Sequence, residues 1–292
     1  MSLGGGVFTI GSCFAQHLSD FLSARFYPVA GSPYGIVYHP LAMAEQLRRL
    51  LDSESPQADE LFPSGELSCH FLFHGSYSQP TADVALQKMA ESFESGREAL
   101  AKAQSVVITL GTSLGYVQGD RVVANCHKLP PTTFDRRLFE AHEIVAALSP
   151  VVTRLVDRQV FLTVSPVRHL RDDPTENQIS KAHLLIAADR LASTHDHVHY
   201  FPAYEIMMDE LRDYRFYADD LVHPSDLAAK MIGERFVDWA FTPSDYWQQA
   251  DALKRQLAHR PLHAETTAAT RFHAQATAAR VAFAATYPFA EF

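Results

Sequence analysis

Four short runs of apolar, largely β-branched residues, at positions 7–10, 105–110, 159–164 and 198–201, are separated by stretches whose apolar residues recur at helical spacing. A strand buried on both faces reads as a continuous apolar run. Strands of that kind, alternating with helices, are expected to lie parallel in one sheet with helices covering both faces. Val7-Phe8-Thr9-Ile10 is stopped by Gly11, and Val106-Val107-Ile108-Thr109-Leu110 by Gly111. Helices are expected over residues 12–26, 40–51, 84–103, 176–193 and 227–241, the second opening on Pro40, which suits a first helical turn. The expected fold is α/β, a three-layer α/β/α sandwich around a parallel sheet.

Composition narrows the function classes. The 292 residues are 47% hydrophobic, ample for a core, and no apolar run approaches the roughly 20 residues that cross a bilayer. A formal charge of −9 argues against a nucleic-acid partner, and the fifteen histidines imply that net charge changes sign in mildly acidic buffer. Three cysteines, an odd number, and no basic-then-apolar leader give a reducing, cytoplasmic setting as the expectation. After Phe241 the character shifts to helical stretches over 247–259 and 265–286, the second rich in alanine and threonine. Residues 1–241 are therefore read as one domain and 242–292 as a helical extension, docked on that domain or on a second copy in a homo-oligomer. Between Asp52 and Thr81 an exposed excursion, marked by Ser53-Glu54-Ser55-Pro56, is read as a lid or loop of the site.

In a parallel sheet, sites collect at the carboxyl ends of the strands, where helix N-termini present N–H groups. Ser12 occupies the end of the first strand. Its side chain is expected to be exposed there, either as a nucleophile whose own N–H helps stabilise an oxyanion or as an ordinary helix N-cap. Far along the chain, Asp220-Leu221-Val222-His223-Pro224 places a carboxylate and an imidazole three residues apart on one loop. The carboxylate can orient the ring and the ring can act as general base, unless Asp220 merely caps the loop and His223 is free in solvent. Cys13, Cys69 and Cys126 are expected to be small buried residues. Two histidine sets have spacing that could suit a metal: His70 and His74 on one helix face, and His195, His197 and His199 on one strand face, although a solvated turn is the expectation for the second set. No metal or organic cofactor is expected, and no glycine-rich phosphate loop is present.

Gly11-Ser12-Cys13-Phe14-Ala15 matches the motif that names the GSCFA family, a group placed with the SGNH (GDSL-like) hydrolases. The resemblance extends through Tyr34-Gly35-Ile36-Val37-Tyr38-His39-Pro40-Leu41, Leu110-Gly111-Thr112-Ser113, Asn125-Cys126-His127-Lys128, Ser165-Pro166-Val167-Arg168-His169, Asn177 with Ser180-Lys181, and Asp220 to Pro224, in order over residues 7–241. It implies a flavodoxin-like, SGNH-type sandwich with Ser12 as nucleophile and Asp220 and His223 as its acid–base pair. It also implies an oxyanion hole from the N–H groups of Ser12 and Gly35 and a side-chain donor at Thr112 or Ser113. The wider superfamily usually has asparagine where this chain has Ser113, so Asn125 is a candidate replacement. His39, where related chains more often carry asparagine, has no assigned role. Asn125, His127, Arg168, His169, Asn177 and Lys181 are candidates for holding substrate, each with a capping or bracing role as the alternative. Arg168 is the first choice for an anionic or hydroxyl-rich group. The resulting expectation is a serine esterase for O-acyl, perhaps acetyl, esters of carbohydrates. The rivals are an O-acyltransferase with the same triad and a non-catalytic carbohydrate-binding protein.

Overall fold

The computed structural model describes residues 1–168, 173–259 and 261–292. In chain order its strands are β1 (Val7–Gly11), β2 (Val29–Gly31), β3 (Phe62–Ser64), β4 (Leu67–Cys69), β5 (Ser105–Leu110), β6 (Leu114–Gln118), β7 (Arg121–Val123), β8 (Asp135–Leu138), β9 (Gln159–Val164) and β10 (Val198–Tyr200). The helices are α1 (Cys13–Ser23), α2 (Pro40–Asp52), α3 (Ala82–Lys102), α4 (Ala141–Thr153), α5 (Pro174–Thr194), the single turn α6 (Ala203–Glu205), α7 (Asp226–Ala240), α8 (Tyr246–Ala258) and α9 (Thr267–Thr286).

Five strands form one parallel sheet in the order β2-β1-β5-β9-β10. From β1 the chain winds first to one edge and then returns to build the other half, so β1 and β5 flank the point where the strand order reverses. A crevice opens there at the carboxyl ends. Every residue of β1 and β5 is buried, which is why both read as uninterrupted apolar runs.

Alternate residues feed two cores. Phe8, Ile10, Val106, Ile108, Leu110, Leu162 and Val164 pack with side chains of α2 to α5, while Val7, Val107 and Phe161 pack with Phe14, Leu18, Leu22, Ile232 and Phe236 of α1 and α7. The result is the expected three-layer sandwich.

The sequence reading did not anticipate β2, α4, the β3-β4 hairpin, or the small antiparallel sheet of order β7-β6-β8. Helix α4 carries Ile144, Leu148, Val151 and Val152 on its buried side, but Pro150 interrupts the pattern. In the extension, Tyr246, Ala250, Leu253 and Phe283 are buried in the same cluster as Val7, Phe14 and Tyr27. The Tyr246 hydroxyl donates to the Arg25 carbonyl at 2.7 Å, and Arg25 pairs with Asp251 at 3.0 Å. Residues 242–292 thus pack on the α1 and α7 side of the sheet. Among the described residues no helix is long and apolar enough to cross a membrane.

Candidate active site

Strand β1 ends on Gly11, whose φ is +141° and whose missing Cβ would lie 2.3 Å from the Thr109 carbonyl oxygen of β5. Only glycine permits so close an approach in that conformation. The next residue, Ser12, is 1% exposed, so the expectation of an exposed side chain is corrected. The segment after β2 crosses the strand ends: Val37 N–H donates to the Gly11 carbonyl at 3.0 Å, and Gly111 and Thr112 N–H donate to the Tyr38 carbonyl at 2.9 and 3.1 Å. Ser12 N–H donates to the Thr109 carbonyl at 3.2 Å. Its Oγ caps α1, accepting from Phe14 N–H at 3.3 Å. The capping role is therefore present, and it uses a lone pair, leaving the hydroxyl proton for another acceptor.

Gly35, at φ +79°, donates its N–H to the Ser32 carbonyl at 3.1 Å and lies against His74, whose Cβ would be 2.7 Å from an added Cβ. Ser113 is fully buried. Its N–H donates to Ser180 Oγ at 2.8 Å, its carbonyl accepts from Phe139 N–H at 2.8 Å, and its hydroxyl has no hydrogen-bond partner among the described residues. Thr112 Oγ1 lies 3.0 Å from Ser180 Oγ and accepts from Leu114 N–H.

His39 has a structural task. Its Nδ1 accepts from Leu41 N–H as the cap of α2, so Nε2 carries the proton that faces the Ser113 carbonyl at 3.3 Å. Burial pushes its pKa down to about 4, so the ring is neutral. Asn125 accepts from His127 N–H at 2.8 Å, and His127 Nε2 lies 2.9 Å from the His70 carbonyl. Both brace the loop that carries His70 and His74 beside Gly35.

The acid–base pair is assembled. Asp220 Oδ2 lies 2.6 Å from His223 Nδ1, and Oδ1 accepts the N–H groups of Val222 and His223, both at 2.9 Å, around Leu221 at φ +57°. The His223 N–H, its ring and the Val222 N–H hold the Asp220 carboxyl down to about 2. His223 is 41% exposed at its side chain, and Nε2 has no protein partner among the described residues. No hydrogen bond joins His223 to Ser12. The loop lies at the carboxyl end of the sheet, where Arg168 N–H, four residues past β9, donates to the Val222 carbonyl.

Arg168 N–H donates to the Val222 carbonyl at 3.2 Å, and its guanidinium donates to the Tyr217 hydroxyl at 2.7 Å while lying 4.4 Å from that ring's centre. It therefore backs the histidine loop. Asn177 and Lys181 are buried on α5, where Lys181 Nζ donates to the Gly111 and Ser165 carbonyls, both at 2.8 Å. His169 lies outside the described residues.

Sequence reasoning missed Tyr204 and Tyr217, which face Lys181 and Arg168 across the fold and have no motif to announce them. A cleft of about 1130 Å³ lies elsewhere, lined by Glu45, Arg49, Glu60, His70 and Arg137 among others. Residues 70 and 74 lie on a loop and not on a helix face. His195, His197 and His199 are held by Ser149, the Val152 carbonyl and Gln159. Among the described residues no three His, Cys, Asp or Glu side chains are grouped to hold a metal ion. Cys69 is buried as expected, whereas Cys13 and Cys126 are only half-buried, and desolvation pushes both thiols up.

Fold and site together define a doubly wound α/β/α protein with a serine at the switch point and an Asp–His pair on a loop at the same end of the sheet. The family model described as the GSCFA family matches residues 6–236, and the chain belongs to that family. The match ends within α7, before the two helices of the extension. No curated protein matches the chain.

Proposed function

We propose that the protein is a serine esterase of the SGNH kind, acting on O-acyl esters. The observation that carries this reading is the Asp220–His223 pair: a carboxylate on Nδ1 fixes the tautomer that leaves Nε2 as an acceptor. His223 Nε2 takes the Ser12 hydroxyl proton as Oγ bonds to the ester carbonyl carbon and the carbonyl π pair moves to oxygen. The C–O bond to the alcohol then breaks, with the alcohol taking the proton from His223, and water releases the acyl group by the same steps. The oxyanion would share the N–H groups of Ser12 and Gly35 with Thr109 and Ser32, whose bonds of 3.2 and 3.1 Å are long, with Thr112, Ser113 or Asn125 as the side-chain donor. An acetylated carbohydrate is the substrate class proposed, and transfer to a sugar hydroxyl instead of water is the close variant.

A second reading, a non-catalytic carbohydrate-binding protein, is favoured by one observation: Ser12 is buried without a bond to His223. Labelling with a fluorophosphonate probe, read by mass spectrometry on the Ser12 peptide, decides between them. Labelling that disappears in His223→Ala supports the esterase. Its absence from folded wild-type protein supports the binding protein. Loss of small-ester hydrolysis in Ser12→Ala supports Ser12 as the nucleophile, and diversion of product from free acid to a new ester by added saccharide separates transferase from hydrolase.

A further inference from the structure

Among the described residues, three cationic side chains are almost fully buried: Arg25, Arg49 and Lys181. Arg25 pairs with Asp251, and Arg49 with Glu45 and Glu60. Lys181, 1% exposed, has no carboxylate partner among the described residues. Its ammonium is held by the Gly111 and Ser165 carbonyls, the residues immediately after β5 and β9, with the Tyr204 ring centre 5.6 Å away. An unpaired buried ammonium costs several kcal/mol, which a neutral side chain at this position would avoid. The neighbouring residue on the helix, Ser180, grips the same turn from a second point through Ser113 N–H and Thr112 Oγ1. Together they fasten Gly111, Thr112 and Ser113 to α5. Lys181 also acts electrostatically on the Cys13 thiol, next in sequence to Ser12.

We propose that Lys181 is a positioning residue of the site: it fixes the Gly111–Ser113 turn across the strand ends and keeps a positive charge near Ser12 that favours negative charge developing there. The proposal rests on the esterase reading. Lys181 transfers no proton in the reaction; it acts through the turn and through its field. The groups that face its ammonium are the Cys13 thiol from α1 and the Tyr204 ring from α6, while β5 and β9 offer only carbonyls. Desolvation lowers the Lys181 pKa to about 7 and raises those of Cys13 and Tyr204, so Lys181 is the member of this group that changes charge near neutrality.

The test is the rate of fluorophosphonate labelling at Ser12 as a function of pH, in the full chain and in Lys181→Met, an uncharged side chain of similar length. Wild type is expected to lose labelling rate on the alkaline side as Lys181 loses its proton. Lys181→Met is expected to label on the order of 10- to 100-fold more slowly per folded molecule and to lack the alkaline fall. A purely structural lysine would instead lower the melting temperature and leave rate and profile unchanged. Wild-type labelling that persists unchanged in Lys181→Met overturns this proposal alone. Failure of wild type to label overturns the esterase reading and the proposal with it. If Lys181→Met does not fold, Lys181→Gln takes its place, and labelling of Ser12 at the wild-type rate in that variant overturns the proposal.

Discussion

Replacing Gly11 with alanine tests the geometry that delivers Ser12 to the switch point. The backbone there has φ +141°, and an added Cβ would lie 2.3, 2.8 and 2.9 Å from the carbonyl oxygen, nitrogen and carbonyl carbon of Thr109. Those atoms belong to the neighbouring strand and cannot move as a side-chain tip can. The conformation costs alanine about 1–3 kcal/mol and the forced separation of β1 from β5 about 1–3 more. For 292 residues the unfolding entropy is about 0.6 kcal/mol/K, so about 2–6 kcal/mol lowers the melting temperature by about 3–10 °C. Gly119 supplies the control, since it too has positive φ, +63°, but nothing lies within 4 Å of its missing Cβ. Gly119→Ala should cost about 1 kcal/mol. Thermal and denaturant unfolding of the two variants give the comparison. Equal midpoints would refute the argument that contact with β5, and not backbone conformation alone, reserves position 11 for glycine.

Asp220→Asn should fold normally and label at Ser12 about 10²–10⁴-fold more slowly, because the amide no longer favours the productive tautomer or stabilises a charged ring. Arg49→Met removes one partner each from Glu45 and Glu60, which keep Arg48 and His70, and chemical denaturation should show a loss of about 1–3 kcal/mol, discounted because Glu60 is partly exposed. Against the opposing effect of burial, bonds from His70 and Arg49 hold Glu60 well below the usual carboxylate range. Its contribution is present above the ordinary carboxyl pKa and lost as pH falls below it, so the variant's stability should fall less steeply in acid than that of wild type. Phe283→Ala removes a ring packed on Phe26, Tyr246 and Tyr287, costs about 3–4 kcal/mol, and should make α9 itself susceptible to limited proteolysis.

The parallel core was legible because burial on both faces leaves its strands no polar positions, as in β1 and β5. The short strands of the antiparallel sheet carry exposed polar residues, as Asp135-Arg136-Arg137 does in β8, and could not be told from loops. Histidines 70 and 74 invited a helix-face reading that required a helix where the chain makes a loop.

Sequence by itself determined four of the five strands of the sheet, most of its covering helices and the pairing of Asp220 with His223, since these show in the pattern of a strand, a helix turn or three residues of loop. Tertiary structure decided the rest. His39 became a neutral brace because Ser113, 74 residues away, presents its carbonyl to Nε2. Ser12 became buried because the segment after β2 crosses the ends of β1 and β5. Lys181 became an interior ammonium because carbonyls 70 and 16 residues away meet at its Nζ. Burial, and the charge state that follows from it, is set by what the fold brings near a side chain, and no local pattern along the chain encodes that.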